Sequence, residues 1–184
     1  MKTLRLILLF AVVTPLCTGC LSRAIKEGAG AAFGAKGVAL PVEPPKFPEN
    51  DKRFASYTNV EVGEIVDDFG GKVPRSFFPL LKNKIDELMK EKGLKRGGKT
   101  IVVSGRIVHY EVDNALGYAF GNFEEVVARV FLVDKATGAK LVQCSCIGRS
   151  KTTTTMGVEQ KAEGMAKAVL KLLSYGGLKP PEKK

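Results

Sequence analysis

Apolar side chains between residues 56 and 174 repeat with two different periods, and the order of these periods constrains the fold more than any other feature. A period of two residues, typical of strands, occurs over residues 56–66, 100–112, 122–134 and 139–150. Steps of three and four residues, typical of helices, occur over residues 77–89 and 158–174. The sequence therefore predicts the order β-α-β-β-β-α.

This order of elements predicts a single domain over residues 52–176. A strand, a helix and a second strand form a right-handed crossover, which makes the two strands parallel. The turn Lys-Ala-Thr-Gly at residues 135–138 ends in a glycine that can adopt a positive φ, and it predicts an antiparallel hairpin. We expect an α/β (α+β) two-layer sandwich, in which both helices cover one face of a mixed four-stranded sheet.

The first 20 residues have the pattern of an export signal. Lys2 and Arg5 precede an apolar run over residues 6–13, which is shorter than the roughly 20 apolar residues that a membrane-spanning helix needs. Residues 16–20, Leu-Cys-Thr-Gly-Cys, are similar to the lipobox of bacterial lipoproteins. The pattern predicts a lipoprotein signal peptide over residues 1–19 and lipid attachment at Cys20. Ordinary secretion with an incidental cysteine is the alternative.

Lipid attachment at Cys20 would hold the protein at the bacterial cell envelope. The similarity to lipoproteins implies a diacylglycerol on the thiol and a further acyl chain on the amino group, and two chains already anchor a protein stably. In enteric-type sorting an aspartate at the next position retains a lipoprotein at the inner membrane. Because Leu21 occupies that position, we expect the outer membrane, with the protein facing the periplasm. Residues 20–51 are predicted to form a flexible tether rich in Gly, Ala and Pro, and residues 177–184 a basic tail.

The chain is basic, and its charge indicates the class of its partners. The net charge of +10 becomes +8 when Lys2 and Arg5 leave with the signal peptide. A basic surface favours anionic partners. Beyond the membrane reached through the N-terminal lipid, we expect an envelope protein with an acidic surface, or an anionic lipid or glycolipid. Nucleic acid is not an expected partner in that compartment.

Several segments resemble a known family. These are the strand over residues 101–112, the loop Gly-Tyr-Ala-Phe-Gly at residues 117–121, the hairpin over residues 132–141 and the closing helix. Over roughly residues 55–174 the chain resembles the bacterial lipoprotein family known as domain of unknown function 4410. That family has no assigned activity, so the resemblance implies a lipoprotein with this fold and assigns no functional residues.

Residues 93–100 match the phosphate-loop expression G-x-x-x-x-G-K-[ST] letter for letter. A phosphate loop follows a strand and opens a helix, whose N-terminus faces the anion. In this chain a predicted helix precedes the motif and a predicted strand follows it, and the C-terminus of a helix repels phosphate. The sequence therefore predicts a basic turn between a helix and a strand, and no bound cofactor.

Few residues suit catalysis or metal binding. His109 is the only histidine, so a small envelope enzyme that uses His109 is the alternative to a non-catalytic protein. Cys144 and Cys146 lie two residues apart, which places both on one face of a strand. Two ligands do not complete a metal site, which takes about four, so we predict paired thiols in the core and no metal.

The loop over residues 113–121 is a predicted contact site. It carries Leu116, Tyr118 and Phe120 between glycines, and it joins two predicted strands. Loops held by a rigid sheet are frequent binding sites. The alternative is that these side chains fold back on the core. The sequence therefore favours an envelope lipoprotein that acts as a binding or assembly module, with no catalytic residues.

Overall fold

The computed structural model describes residues 35–49, 51–111, 124–150 and 157–178. Its elements, in chain order, are β1 (Lys36–Glu43), β2 (Asn59–Asp67), α1 (Phe77–Glu91), β3 (Thr100–Tyr110), β4 (Glu125–Asp134), β5 (Lys140–Arg149) and α2 (Val158–Tyr175). All of them belong to one compact unit that begins at Ala35. Within these residues, no helix combines the length and the hydropathy that crossing a bilayer requires.

The strands form one mixed sheet in the order β1-β5-β4-β3-β2. β2 and β3 are parallel, as the crossover through α1 predicts, and the other neighbouring pairs are antiparallel. The prediction of a four-stranded sheet is wrong, because β1 adds a fifth strand beside β5. β1 lies inside residues 20–51, so the predicted tether is wrong for these eight residues. The rest of the division into domains stays a prediction.

β1 lacks a strand signal in the sequence because its core-facing residues are small. Gly37, Ala39 and Pro41 pair with residues of β5 that face the core, whereas Leu40 points to the opposite side. Proline lacks the N–H of a strand residue and is confined to edge strands and bulges. Pro41 satisfies that rule, because β1 is an edge strand and its register with β5 shifts just after Pro41.

The two helices lie on one face of the sheet, as predicted. They pack against each other, with α2 over β1, β5 and β4 and α1 beside β2. The predicted apolar stripe of α1 is correct except at its end, where Met89 is buried and Leu88 only partly so. The predicted stripe of α2 is buried at four positions: Ala162, Met165, Val169 and Leu172.

Three glycines let α2 approach the edge of the sheet closely. A Cβ added at Gly148 in β5 would lie 2.8 Å from Cα of Met165, and one at Gly37 in β1 would lie 2.6 Å from the carbonyl oxygen of Gly164. A Cβ at Gly164 would in turn lie 2.8 Å from the backbone nitrogen of Arg149. No side chain fits at such distances, so backbone packed on backbone positions α2 over β1 and β5.

Candidate binding surface

The face of the sheet that points away from α1 and α2 has no second layer over it in the described part of the chain, and we call it the open face. Its side chains alternate along each strand with the core-facing ones. Leu40 and Val66 are exposed at 49% and 37% of their surface. Other apolar side chains of this face are half-buried: Val38, Val127, Phe131 and Ile147. The open face is therefore partly apolar and accessible.

One row of paired residues crosses all five strands of the open face. Leu40 on β1 pairs with Ser145, Ser145 with Arg129, Arg129 with Arg106, and Arg106 with Val66 on β2. Arg106 and Arg129 therefore stand side by side in the middle of the sheet, and both are exposed. Like charges at directly opposed positions of neighbouring strands are destabilising. Among the described residues, no carboxylate forms an ion pair with either guanidinium group.

Three carboxylates toward the ends of the sheet are already paired with basic side chains, whereas the exposed Glu64, at the bulge of β2, forms no ion pair with a described residue. Lys135 Nζ lies 2.7 Å from Glu61 Oε2, and Arg149 Nε lies 2.8 Å from Glu125 Oε2. Glu43 forms an ion pair with Lys140. Arg106 and Arg129 place two adjacent positive charges in the middle of the face. Two adjacent guanidinium groups are suited to hold one phosphate or carboxylate by several charge-assisted hydrogen bonds.

His109 is exposed on the open face near the end of β3. Its ring lies 5.3 Å from the ring of Phe69, at an angle of 66°. Its side chain forms no hydrogen bond or ion pair with another described residue. Nor do residues 35–49, 51–111, 124–150 and 157–178 contain a group of three or more His, Cys, Asp or Glu side chains suited to a metal ion. No described nucleophile or base is therefore in hydrogen-bond contact with His109.

A buried ion pair lies at the end of the sheet where β3 and β5 end. Lys161 of α2 is 1% exposed, and its Nζ lies 3.0 Å from Glu124 Oε2. The same ammonium group donates a hydrogen bond to the carbonyl oxygen of Glu111 at 2.7 Å and lies 4.5 Å above the ring of Tyr110. Glu124 also accepts a hydrogen bond from the backbone of Gly157. These contacts hold together the residues that border segments 112–123 and 151–156.

The described residues on either side of segment 112–123, which contains the predicted contact loop, meet at this buried ion pair. Its residues Leu116, Tyr118 and Phe120 lie outside the described residues, as does the lipidation site Cys20. Both sites therefore stay predictions. Glu111 and Glu124 flank the segment that contains the loop. Lys161 holds both of them, through the carbonyl oxygen of Glu111 and the carboxylate of Glu124.

Cys144 and Cys146 are free thiols in the core, as predicted. Both side chains are fully buried on the face of β5 that α2 covers, and their sulfur atoms lie 4.0 Å apart. The hydrogen bond between them lowers the pKa of Cys144. The same hydrogen bond and burial raise the pKa of Cys146. Neither sulfur is accessible to a partner in this conformation.

Asp134 organises the hairpin between β4 and β5 at the opposite end of the sheet. Its carboxylate accepts hydrogen bonds from the hydroxyl of Tyr57 at 2.6 Å and from the backbone of Thr137 and Ala136 at 3.0 and 2.8 Å. These bonds, first of all the one from Tyr57, lower the pKa of Asp134 to about 2. Burial and the bond to Asp134 raise the pKa of Tyr57 to about 12.

The segment that matches the phosphate-loop expression is a turn from α1 to β3, as predicted. α1 precedes it, and β3 begins at Thr100. Gly97 and Gly98 have positive φ, and the hydroxyl of Thr100 donates a hydrogen bond to the carbonyl oxygen of Gly98. Lys99 lies 4.3 Å from the centre of the Tyr57 ring and 3.8 Å from Asp134 Oδ2. The end of α1 that leads into this turn is its C-terminus, whereas a phosphate loop binds phosphate at a helix N-terminus.

Comparison with known proteins gives only distant likenesses. No protein-family model matches the chain, and no curated protein matches it. The resemblance to the family known as domain of unknown function 4410 therefore stays a prediction. The fold is similar to that of the PelC dodecamer from Paraburkholderia phytofirmans, at 14% identity and a TM-score of 0.47 over 74% of this chain and 96% of that one.

Two further likenesses are to structures described as lipoproteins. One, a candidate lipoprotein from Caulobacter crescentus, is 15% identical with a TM-score of 0.37, over 68% of this chain and 96% of that one. The other, a minor lipoprotein from Acinetobacter baumannii, is 12% identical with a TM-score of 0.27, over 60% of this chain and 86% of that one. Because these TM-scores are all below 0.5, the likenesses carry no argument about the function of this chain.

The arginine pair is the part of the surface that the sequence does not reveal. The period of two marks Arg106 and Arg129 as outward-facing positions of two strands. Whether they stand opposite each other depends on the register between β3 and β4. A tight hairpin turn would set that register, but segment 112–123, too long for such a turn, lies between these strands.

Proposed function

We propose that the chain is a membrane-anchored lipoprotein of the bacterial envelope that acts as a non-catalytic binding or assembly module. The observation that carries the proposal is the open face, where Arg106 and Arg129 stand side by side among accessible apolar residues. Uncompensated charge together with accessible apolar surface is typical of a surface that a partner covers. The lipobox at residues 16–20 supports a lipid anchor, and Leu21 supports the outer membrane as its location, with the domain in the periplasm.

The predicted contact loop belongs to the same proposal as a second contact. Leu116, Tyr118 and Phe120 lie in a segment whose flanking residues are held by the buried Lys161. Fixed ends limit the conformations of a loop, which lowers the entropy cost of binding. The open face and the loop would then be two parts of one module on a rigid sheet.

Photo-crosslinking from the open face in living cells tests the proposal. A photoreactive amino acid replaces Leu40, which is exposed on the open face, in the full-length chain. A matched control carries it at Lys82, which is exposed on α1 on the other side of the sheet. We expect crosslinked envelope components, protein or lipid, from position 40 at several times the yield of position 82.

The anchor is tested in the same cells. Cys20→Ala should remove the protein from the membrane fraction, or leave an unprocessed precursor, and reduce the crosslinks from position 40. Equal yields from positions 40 and 82 would contradict a binding role for the open face. An unmodified mature N-terminus in the wild-type protein, seen by mass spectrometry, would contradict the anchor.

A further inference from the structure

In the part of the chain that the structure describes, no carboxylate forms an ion pair with the two arginines in the middle of the open face. Arg106 and Arg129 face each other on β3 and β4, where their repulsion opposes folding. The carboxylates at the ends of the sheet are occupied by Lys135, Lys140 and Arg149. One anion bound between the two guanidinium groups would remove the repulsion and satisfy both. The arrangement therefore suits an anionic ligand.

Exposed aliphatic side chains flank the arginine pair on both sides. The large apolar residues that are exposed in the described part of the chain are Leu40, Val42 and Val66, and all three lie on the edge strands β1 and β2. At a membrane interface, apolar side chains enter the boundary of the acyl chains while basic groups contact the phosphates. A face with arginines in the middle and aliphatic residues at its margins has this chemistry.

The position of the predicted anchor favours a bilayer over a soluble partner. Fifteen residues separate Cys20 from the first residue of β1, and a chain of this length spans at most about 50 Å. If these residues formed the flexible linker that the sequence predicts, their root-mean-square span would be about 20 Å. A membrane that anchors Cys20 would therefore always lie within reach of the domain, at a high effective concentration. The strand that receives the linker, β1, is itself an edge of the open face.

We propose that the open face binds the anionic headgroups of the membrane that anchors the chain, with the lipid phosphates held by Arg106 and Arg129. This inference rests on the proposed function, because it requires the lipid anchor. It goes further by naming the ligand of the open face as lipid phosphate. The net charge of +8 on the mature chain adds a general attraction to the same surface.

Sedimentation with lipid vesicles tests this inference directly. The probe is the chain that begins at Leu21, without lipid, which keeps every described core residue from Ala35 to Leu178. It should bind vesicles that contain phosphatidylglycerol and not vesicles of phosphatidylcholine alone, and added salt should weaken binding. Each basic side chain at such a surface raises the partition coefficient about fivefold, so Arg106→Ala/Arg129→Ala should bind about 25-fold more weakly.

Two further variants separate the arginine pair from net charge and from folding. Lys82→Ala/Lys90→Ala removes the same charge from exposed positions of α1, and it should weaken binding by no more than about twofold, because these groups lie on the other side of the sheet. Arg106→Lys/Arg129→Lys keeps the charge and should retain most of the binding. An unchanged thermal transition in all variants shows that folding is intact.

Three results would overturn the inference. The first is a wild-type chain that does not bind vesicles containing phosphatidylglycerol. The second is an equal loss of binding in Arg106→Ala/Arg129→Ala and Lys82→Ala/Lys90→Ala. The third is a set of crosslinks from position 40 that contains protein and no lipid. In that third case the open face is still a binding surface and the proposed function stands. Equal crosslinking from positions 40 and 82 would instead contradict both the proposed function and this inference.

Discussion

Individual buried polar residues hold the two ends of the sheet. At one end, Lys161 is surrounded by Glu124, the carbonyl oxygen of Glu111 and the ring of Tyr110. At the other end, Asp134 accepts the hydroxyl of Tyr57. A buried charge is tolerated only when it is paired and hydrogen-bonded, and removing one partner leaves the other charge uncompensated. Both clusters join elements that are distant in sequence, so they determine how the ends of the strands meet.

Replacing Asp134 by asparagine should remove a contribution to the stability of the domain that depends on pH. The folded carboxyl has a pKa of about 2, below the ordinary 3.8, chiefly because Tyr57 and Thr137 donate hydrogen bonds to its ionised form. A group whose pKa is lowered by folding stabilises fully above its unfolded pKa, and that contribution is lost as the pH falls through the folded pKa. Asp134→Asn should therefore be less stable than the wild type at pH 7, and the gap should narrow as the pH falls from about 4 to about 2.

Urea unfolding at a series of pH values measures this gap. The matched control is Asp68→Asn, since Asp68 is exposed just after β2, and its substitution should change the midpoint little at any pH. A difference in stability between the wild type and Asp134→Asn that is the same at both ends of the pH range would mean that the asparagine amide distorts the hairpin sterically. The ionised form of Asp134 would then contribute nothing specific.

Among the elements, α2 is held by backbone contact with the sheet. Gly37, Gly148 and Gly164 bring the backbones of β1, β5 and α2 together without intervening side chains. Substitution Gly148→Ala places a methyl group 2.8 Å from Cα of Met165, and neither backbone can yield without moving a whole element. Overpacking a core typically costs about 1–3 kcal/mol and sometimes more, so we expect a loss of about 3 kcal/mol in the free energy of unfolding.

The control for this substitution is a glycine with a softer neighbour. At Gly63 in β2 an added Cβ would meet the end of the Val102 side chain, which can change its rotamer. Gly63→Ala should therefore be distinctly milder in the same urea titration. If both variants lost the same stability, the cost would come from the backbone preference of glycine rather than from the approach of α2.

The limits of prediction from sequence also appear at the level of elements. The stripes of α1 and α2 and the alternation in β3, β4 and β5 follow from apolar periodicity, because each element buries one large face. β1 cannot be predicted from apolar periodicity. Helix α2 lies so close to it that the strand faces the helix with the small residues Gly37, Ala39 and Pro41. The opposed positions of Arg106 and Arg129 cannot be predicted from periodicity either, because they depend on the register between β3 and β4.

At the level of the whole molecule, β1 sets where the folded domain begins. If residues 20–51 were only a tether, their removal would not affect the fold. β1 pairs with β5 at seven positions, and Ala35 and Ala39 are buried. The folded domain therefore extends to within about 15 residues of the predicted lipid, and the edge strand pairs with the part of β5 that contains Cys144 and Cys146.

Two truncations of the unlipidated chain locate this boundary. A chain that begins at Ala35 should have the same urea midpoint as one that begins at Leu21, because both retain β1. A chain that begins at Pro44 loses β1, and each lost backbone hydrogen bond costs about 0.5–1.5 kcal/mol, so it should lose at least about 3 kcal/mol or aggregate through the uncovered edge of β5. Removal of residues 179–184 is the control and should leave the midpoint unchanged. Equal midpoints for the chains that begin at Ala35 and Pro44 would mean that β1 contributes nothing to stability, and the open face would then end at β5.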